Sequence, residues 1–240
     1  MTMQFLDLWS ELAHTPLLWL TVTLVIYQAA TWLYRRARAF PLLNPVLISI
    51  IAVVALLLAT GTPYERYFDG ARLIHFLLGP ATVALAIPLH AYLWRVRELA
   101  LPIAIALPLG ALTAILSAVG LGRLFDLPTP VVLSLAPKSV TTPIAMGVAE
   151  QIGGVPSLTA VFVILTGILG GMMAPLLLDL LRVRDPSVRG FAMGVTSHGI
   201  GTARALQLSE EAGAFSGLGM GLNGILTSFL VPLLMRMLGL

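Results

Sequence analysis

The chain has 240 residues, of which 58% are hydrophobic and only 10% charged. A soluble domain carries roughly 25% charge, so the composition excludes a water-covered globule and points to an all-α polytopic membrane protein. The net charge of +3 comes almost entirely from arginine, and the lack of cysteine removes disulfides, thiolate catalysis and Cys-type metal sites.

Residues 1–16 read as a short amphipathic lead-in with Asp7 and Glu11 and no basic n-region, so the first span is not a cleavable signal peptide. Full spans are predicted at about 17–34, 41–60, 73–94 and 99–121, the third kinked by Gly79-Pro80 and Pro88. Arg35, Arg36 and Arg38 follow the first span, and Arg95 and Arg97 the third. The stretch from Tyr64 to Arg72 reads as a charged loop. Long apolar runs without alternation exclude a transmembrane β-barrel. After the loop 122–128 comes an apolar run, 131–152, interrupted by Ala136-Pro-Lys-Ser-Val-Thr-Thr-Pro143. Each proline removes a backbone donor. Lys138 is the only lysine in the chain, and an ionisable group at membrane depth marks a functional site by default. A continuous helix is predicted over about 158–181, then a basic loop with Arg182, Arg184 and Arg189. A second broken stretch, 190–208, contains Thr196-Ser-His-Gly-Ile-Gly-Thr-Ala-Arg204, and a last helix covers about 212–238.

An internal repeat lies at an offset of 57: residues 165–181 and 222–238 are identical at eight of 17 positions. In this register Pro137 aligns with Gly194 and Thr141 with His198. The two copies, 130–186 and 187–240, would form a transport unit, with 1–129 as scaffold spans. Paired interrupted segments point to a transporter's binding site. If both broken stretches crossed the membrane, Arg182, Arg184 and Arg189 would lie opposite the earlier arginines. If each is a re-entrant hairpin, all three clusters lie inside, as the positive-inside rule prefers. The expected fold is therefore about six full spans plus two re-entrant broken hairpins in inverted repeats, their tips meeting near the midplane.

Lys138, Ser139, Thr141 and Thr142 are the first group of candidate substrate-binding residues. The alternative is that Lys138 snorkels and the hydroxyls satisfy backbone around the prolines. Ser197, His198, Gly199, Thr202 and Arg204 form the second group. Gly199 and Gly201 allow close approach, and Arg204 offers a bidentate carboxylate clamp. The alternative there is a glycine-rich helix contact. His198 and Glu150 are the proton-coupling candidates, although Glu150 at a hairpin mouth also suits water. Gly217-Leu-Gly-Met-Gly221 reads as close helix packing. No metal-ligand spacing, GxSxG or Walker A motif occurs, so no enzyme, metal, cofactor or direct ATP drive is expected, and nucleic-acid binding is not either.

The runs Ala136-Pro-Lys-Ser-Val-Thr-Thr-Pro-Ile-Ala145, Gly153-Gly-Val-Pro-Ser-Leu-Thr-Ala160, Thr166-Gly-Ile168, Arg189-Gly190 and Ser197-His-Gly-Ile-Gly-Thr-Ala203 resemble the LrgB/CidB family over about residues 40–236. The resemblance implies a multi-pass protein of the bacterial inner membrane, often working with a small holin-like partner of the LrgA/CidA type. Family members are described both as holin/antiholin-like modulators of murein hydrolase activity and autolysis, and as carriers of small carboxylates such as pyruvate, glycolate or glycerate. The residues favour a secondary monocarboxylate transporter, with a homodimer contact through the scaffold spans. The alternative is a holin-like pore or its regulator, although no span carries a continuous polar stripe.

Overall fold

The computed structural model describes residues 15–37, 40 and 43–240, so the lead-in with Asp7 and Glu11, and Arg38, lie outside the described residues. The chain divides into two compact units at Val83/Ala84. The division falls well before the 129/130 boundary expected from sequence, because the helix over residues 100–124 packs with the hairpins that follow it.

The first unit holds α1 (Pro16–Arg36), α2 (Pro45–Thr60) and all but the last residue of α3 (Tyr64–Ala84). Proline opens α1 and α2, where a missing N–H costs nothing. The Asn44 side chain caps α2 by accepting from the Val46 N–H at 2.9 Å, and Gly61 ends it at φ 61°. At 16 residues α2 spans about 24 Å, short of a ~30 Å hydrocarbon core, so the second predicted span is a short apolar helix. Fully buried Trp19 stands edge-on to Tyr67 at 5.9 Å. The third span starts at Tyr64 and not near 73. The charges read as a loop occupy its first turns, where Asp69 and Arg72 pair across one turn at 3.1 Å.

The second unit begins with two short helices, α4 (Ala86–Ala91) and α5 (Leu93–Glu98). Then come α6 (Ala100–Leu124), α7 (Thr129–Leu135), α8 (Thr142–Gln151), α9 (Pro156–Leu180), α10 (Pro186–Leu208) and α11 (Glu210–Met237). Among the described residues, five helical stretches are long and apolar enough to cross a membrane: Leu17–Arg36, Tyr64–Ala91, Ala100–Leu124, Pro156–Leu180 and Glu210–Met237.

Both broken stretches fold back on themselves. In the first, α7 and α8 flank a non-helical tip, residues 136–141. Ser134 Oγ accepts from the Val155 N–H at 2.8 Å, and Gly154 packs on the Ser134 backbone, so the two legs meet at one end. In the second, α10 turns at His198, whose backbone is non-helical at φ 42°, ψ −135°. Gly201 returns against the Met193 carbonyl, eight residues back, which a straight helix would hold about 12 Å away. Ser187 donates to Glu211 across the mouth of this hairpin.

The mouths lie at opposite ends of α9. Its N-terminus joins the first hairpin, on the side where Arg123 donates to the Leu238 carbonyl at 3.0 Å. Its C-terminus joins the second hairpin, on the side where Arg95 pairs with Asp185 at 2.6 Å. That pair puts Arg95 and the 182–189 loop on one face, as the hairpin topology requires and a crossing topology forbids. Asp185 also caps α10 by accepting from the Val188 N–H. Desolvation works against its carboxylate, but that N–H and the Arg95 guanidinium hold it below its ordinary value. The 57-residue offset reappears in helix boundaries. Residue 129 opens α7 and 186 opens α10; 142–151 is α8 and 199–208 the returning leg of α10; α9 ends at 180 and α11 at 237.

Candidate functional site

The hairpin tips meet halfway along the crossing helices. His198 lies against Gly167 of α9, where an added Cβ would stand 2.7 Å from the ring. Its Nε2 is 3.0 Å from the Val163 carbonyl, and a carbonyl only accepts, so Nε2 carries the proton. Ser197 packs on Gly170, one turn further along α9. From the first hairpin, the Ser139 carbonyl accepts from Asn223 Nδ2 at 3.3 Å; the same nitrogen donates to the Val195 carbonyl at 2.9 Å. One amide in the middle of α11 thus ties both broken segments together.

Beside this junction lies a cavity of about 830 Å³. Its inner end is lined by Lys138 and Ser139 of the first tip, Thr196 and Ser197 of the second, and Thr166 and Gly170 of α9. Its walls are Leu109, Gly110, Thr113 and Ala114 of α6, and α9 residues as far as Leu178, with Leu181 just beyond the helix. The α9 lining begins at Thr166, near the middle of the helix, and continues toward its C-terminus, so the cavity runs from mid-depth toward the Arg95–Asp185 face. Among the described residues, no acidic side chain lines it. Lys138 is half-buried, its Nζ 3.5 Å from Ser139 Oγ, and makes no ion pair among the described residues. An ammonium with three donors therefore faces a space that holds hydroxyls and no counter-charge.

Of the residues chosen from sequence, the structure brings Lys138, Ser139 and Ser197 to this cavity. Thr141 ends the tip and Thr142 begins α8, both half-buried and outside the lining. His198 is buried against α9, and Thr202 is buried with its hydroxyl on the His198 carbonyl and Ser216 Oγ, both at 2.9 Å. Gly199 is exposed near Met220. Arg204 lies down the returning leg, bonded to Gln207 at 2.9 Å, and does not reach the cavity. Glu150 is exposed at the end of α8. Thr166 and Thr196 were not chosen. Thr166 had a signal, since the repeat register pairs it with Asn223.

These features define a polytopic helical membrane protein in which two hairpins, opening at opposite ends of a crossing helix, place an unpaired cation beside a mid-depth cavity. The chain belongs to the LrgB-like family, whose model matches residues 23–237. It is 39% identical over 218 residues to uncharacterized protein YwbG of Bacillus subtilis, covering 90% of this chain and 96% of that protein. It is likewise 39% identical over 212 residues to uncharacterized protein YxaC of the same organism, covering 88% and 92%. To the antiholin-like protein LrgB of Bacillus cereus it is 28% identical over 225 residues, covering 94% and 98%. No solved structure matches the chain.

Proposed function

We propose that this protein is a secondary carrier of small monocarboxylate anions, of the pyruvate or glycolate class, in the bacterial cytoplasmic membrane. The observation that carries the reading is the Lys138 ammonium, without an ion pair among the described residues, beside the Ser139, Thr166, Thr196 and Ser197 residues at one end of a cavity in whose described lining no acidic residue occurs. A carboxylate supplies the missing counter-charge, and the hydroxyls suit its hydroxyl or keto oxygen. Two hairpin-plus-helix units of opposite orientation then act as inverted repeats for alternating access. A homodimer and a small holin-like partner of the LrgA/CidA type rest on the family resemblance alone.

The test is uptake of labelled pyruvate and glycolate into proteoliposomes of the purified protein. A hydrogen bond to a charged group contributes about 1.5–3 kcal/mol, so Lys138→Gln should raise KM by roughly 10- to 150-fold. Absence of uptake by the parent, or an unchanged KM in the variant, refutes the reading. The name borne by the Bacillus cereus relatives favours a second reading, an antiholin-like modulator of autolysis. It predicts changes in solute leakage or murein hydrolase activity that Lys138→Gln leaves untouched.

A further inference from the structure

The repeat register maps the open cavity onto a closed one. Shifting its lining by 57 positions takes Thr166 to Asn223, Met173 to Leu230, Ala174 to Val231, Leu177 to Leu234 and Leu178 to Met235. The last four belong to a packed apolar cluster instead. Val231 and Met235 are buried, with Leu230 and Leu234 packed against them, in a cluster with Ile115 and Val119 of α6 and Val132 and Leu133 of α7. The cluster lies on the face of Arg123 and Leu238, opposite the side toward which the cavity runs, and α6 serves both: residues 109–114 wall the cavity and 115–119 enter the cluster.

The junction obeys the same register. Asn223 donates to the carbonyls of Ser139 and Val195, and the positions related to these are Thr196 and Lys138, which line the cavity together with Thr166. Where α9 carries a threonine and leaves a space, α11 carries an amide that fills it and joins the two tips. Thr227 Oγ1 donates to Asn223 Oδ1 at 3.3 Å and orients the amide.

The geometry points to a second mouth of the same site on the Arg123–Leu238 face, shut here by the Val231–Met235 cluster and latched by Asn223. In the opposite state Asn223 releases the two carbonyls and faces the anion, as Thr166 does in this one. Asn223 is thus a positioning residue in the closed half and a binding residue in the open half. The inference rests on the carrier reading and extends it to residues that no carboxylate touches in this state.

The chain has no cysteine, so single-cysteine variants report access directly. Ala174→Cys marks the open cavity and Val231→Cys its buried counterpart, each treated with a membrane-impermeant maleimide in vesicles of either orientation. Ala174→Cys should react only from the Arg95–Asp185 face, and Val231→Cys only from the opposite face, more slowly. Adding Asn223→Ala should speed Val231→Cys labelling about tenfold and slow Ala174→Cys labelling. General destabilisation would instead speed both, which overturns the latch. Val231→Cys that stays unreactive from the opposite face, with and without Asn223→Ala, while Ala174→Cys reacts, overturns the second mouth. Reciprocal labelling unmoved by pyruvate or glycolate supports the two mouths while sinking the carboxylate reading. Pyruvate uptake by the Val231→Cys variant with no labelling from the opposite face leaves the carrier reading standing and refutes the second mouth.

Discussion

The close approach of the second hairpin to α11 is the feature most open to a single-residue test. Gly190 and Gly194 lie one turn apart on the leading leg of α10, against the backbone of Ala212 and Ser216. A Cβ added at Gly194 would stand 2.8 Å from the Ser216 carbonyl carbon and 2.9 Å from its Cα, and closer still to its oxygen. Ordinary carbon contacts need about 3.5–4.0 Å, so Gly194→Ala must push the leg and α11 apart by roughly 1 Å. No trimming of an α11 side chain relieves it, because the obstacle is backbone. Overpacking of this kind costs about 1–3 kcal/mol. The shift also strains the Asn223–Val195 and Thr202–Ser216 hydrogen bonds, at about 0.5–1.5 kcal/mol each. The sum is about 2–6 kcal/mol, which at roughly 2–4 °C per kcal/mol lowers the apparent Tm in detergent by about 4–24 °C. Gly221→Ala is the control: an added Cβ there meets nothing within 4 Å, and alanine is the better helix former. An apparent Tm for Gly194→Ala within about 2 °C of that for Gly221→Ala refutes the backbone-to-backbone contact.

Arg204→Gln tests the division of labour between the two cationic candidates. Its guanidinium lies off the cavity, so the KM for pyruvate should change less than about threefold where Lys138→Gln changes it tenfold or more. A loss equal to that of Lys138→Gln would return Arg204 to the site. The Arg95–Asp185 pair is partly exposed and should add little stability by itself. Its acid response has a definite sign. The Asp185 carboxyl is held below its ordinary value of 3.8, so the pair's contribution is present above that value and fades as pH falls through the lower folded value. Unfolding midpoints of parent and Asp185→Asn should therefore differ by a constant amount between about pH 5 and 8 and converge only in stronger acid. Convergence already near pH 6 would contradict the assignment.

The hairpins were legible because membrane helices rarely admit Pro-Lys-Ser-Val-Thr-Thr-Pro or Ser-His-Gly-Ile-Gly-Thr in their middle. Their return to the side they started from was legible from arginine placement, and the Arg95–Asp185 contact is the physical form of that bias. The facing of each polar residue was not legible. Each position along a helical leg rotates by about 100°, so Ser197 reaches the cavity while His198 meets Val163 and Thr202 meets Ser216. Arg204 lies nearly two turns beyond the break, too far down the leg to turn back. Thr166 sits in an apolar helix, where a threonine hydroxyl ordinarily bonds its own backbone; only the repeat register with Asn223 distinguishes it. The third span was misplaced because four charges over 65–72 read as a loop, although the first turns of a helix hold them equally well.

The polar residues of the two tips divide by partner, and that division bears on function more than their polarity does. A helix broken at mid-depth leaves carbonyls without intrahelical donors, and no water replaces them. Asn223 answers the Ser139 and Val195 carbonyls, and Thr202 that of His198. His198 holds a backbone conformation that costs about 1–3 kcal/mol, and its ring is fixed by Val163 and the space above Gly167. Such residues would be needed at a break that bound nothing, so their presence does not argue for a substrate. Lys138 differs. Protonated, it satisfies no broken carbonyl, pairs with no acid among the described residues, and has donor capacity left toward the cavity. An unpaired cation at that depth carries a cost that packing does not offset.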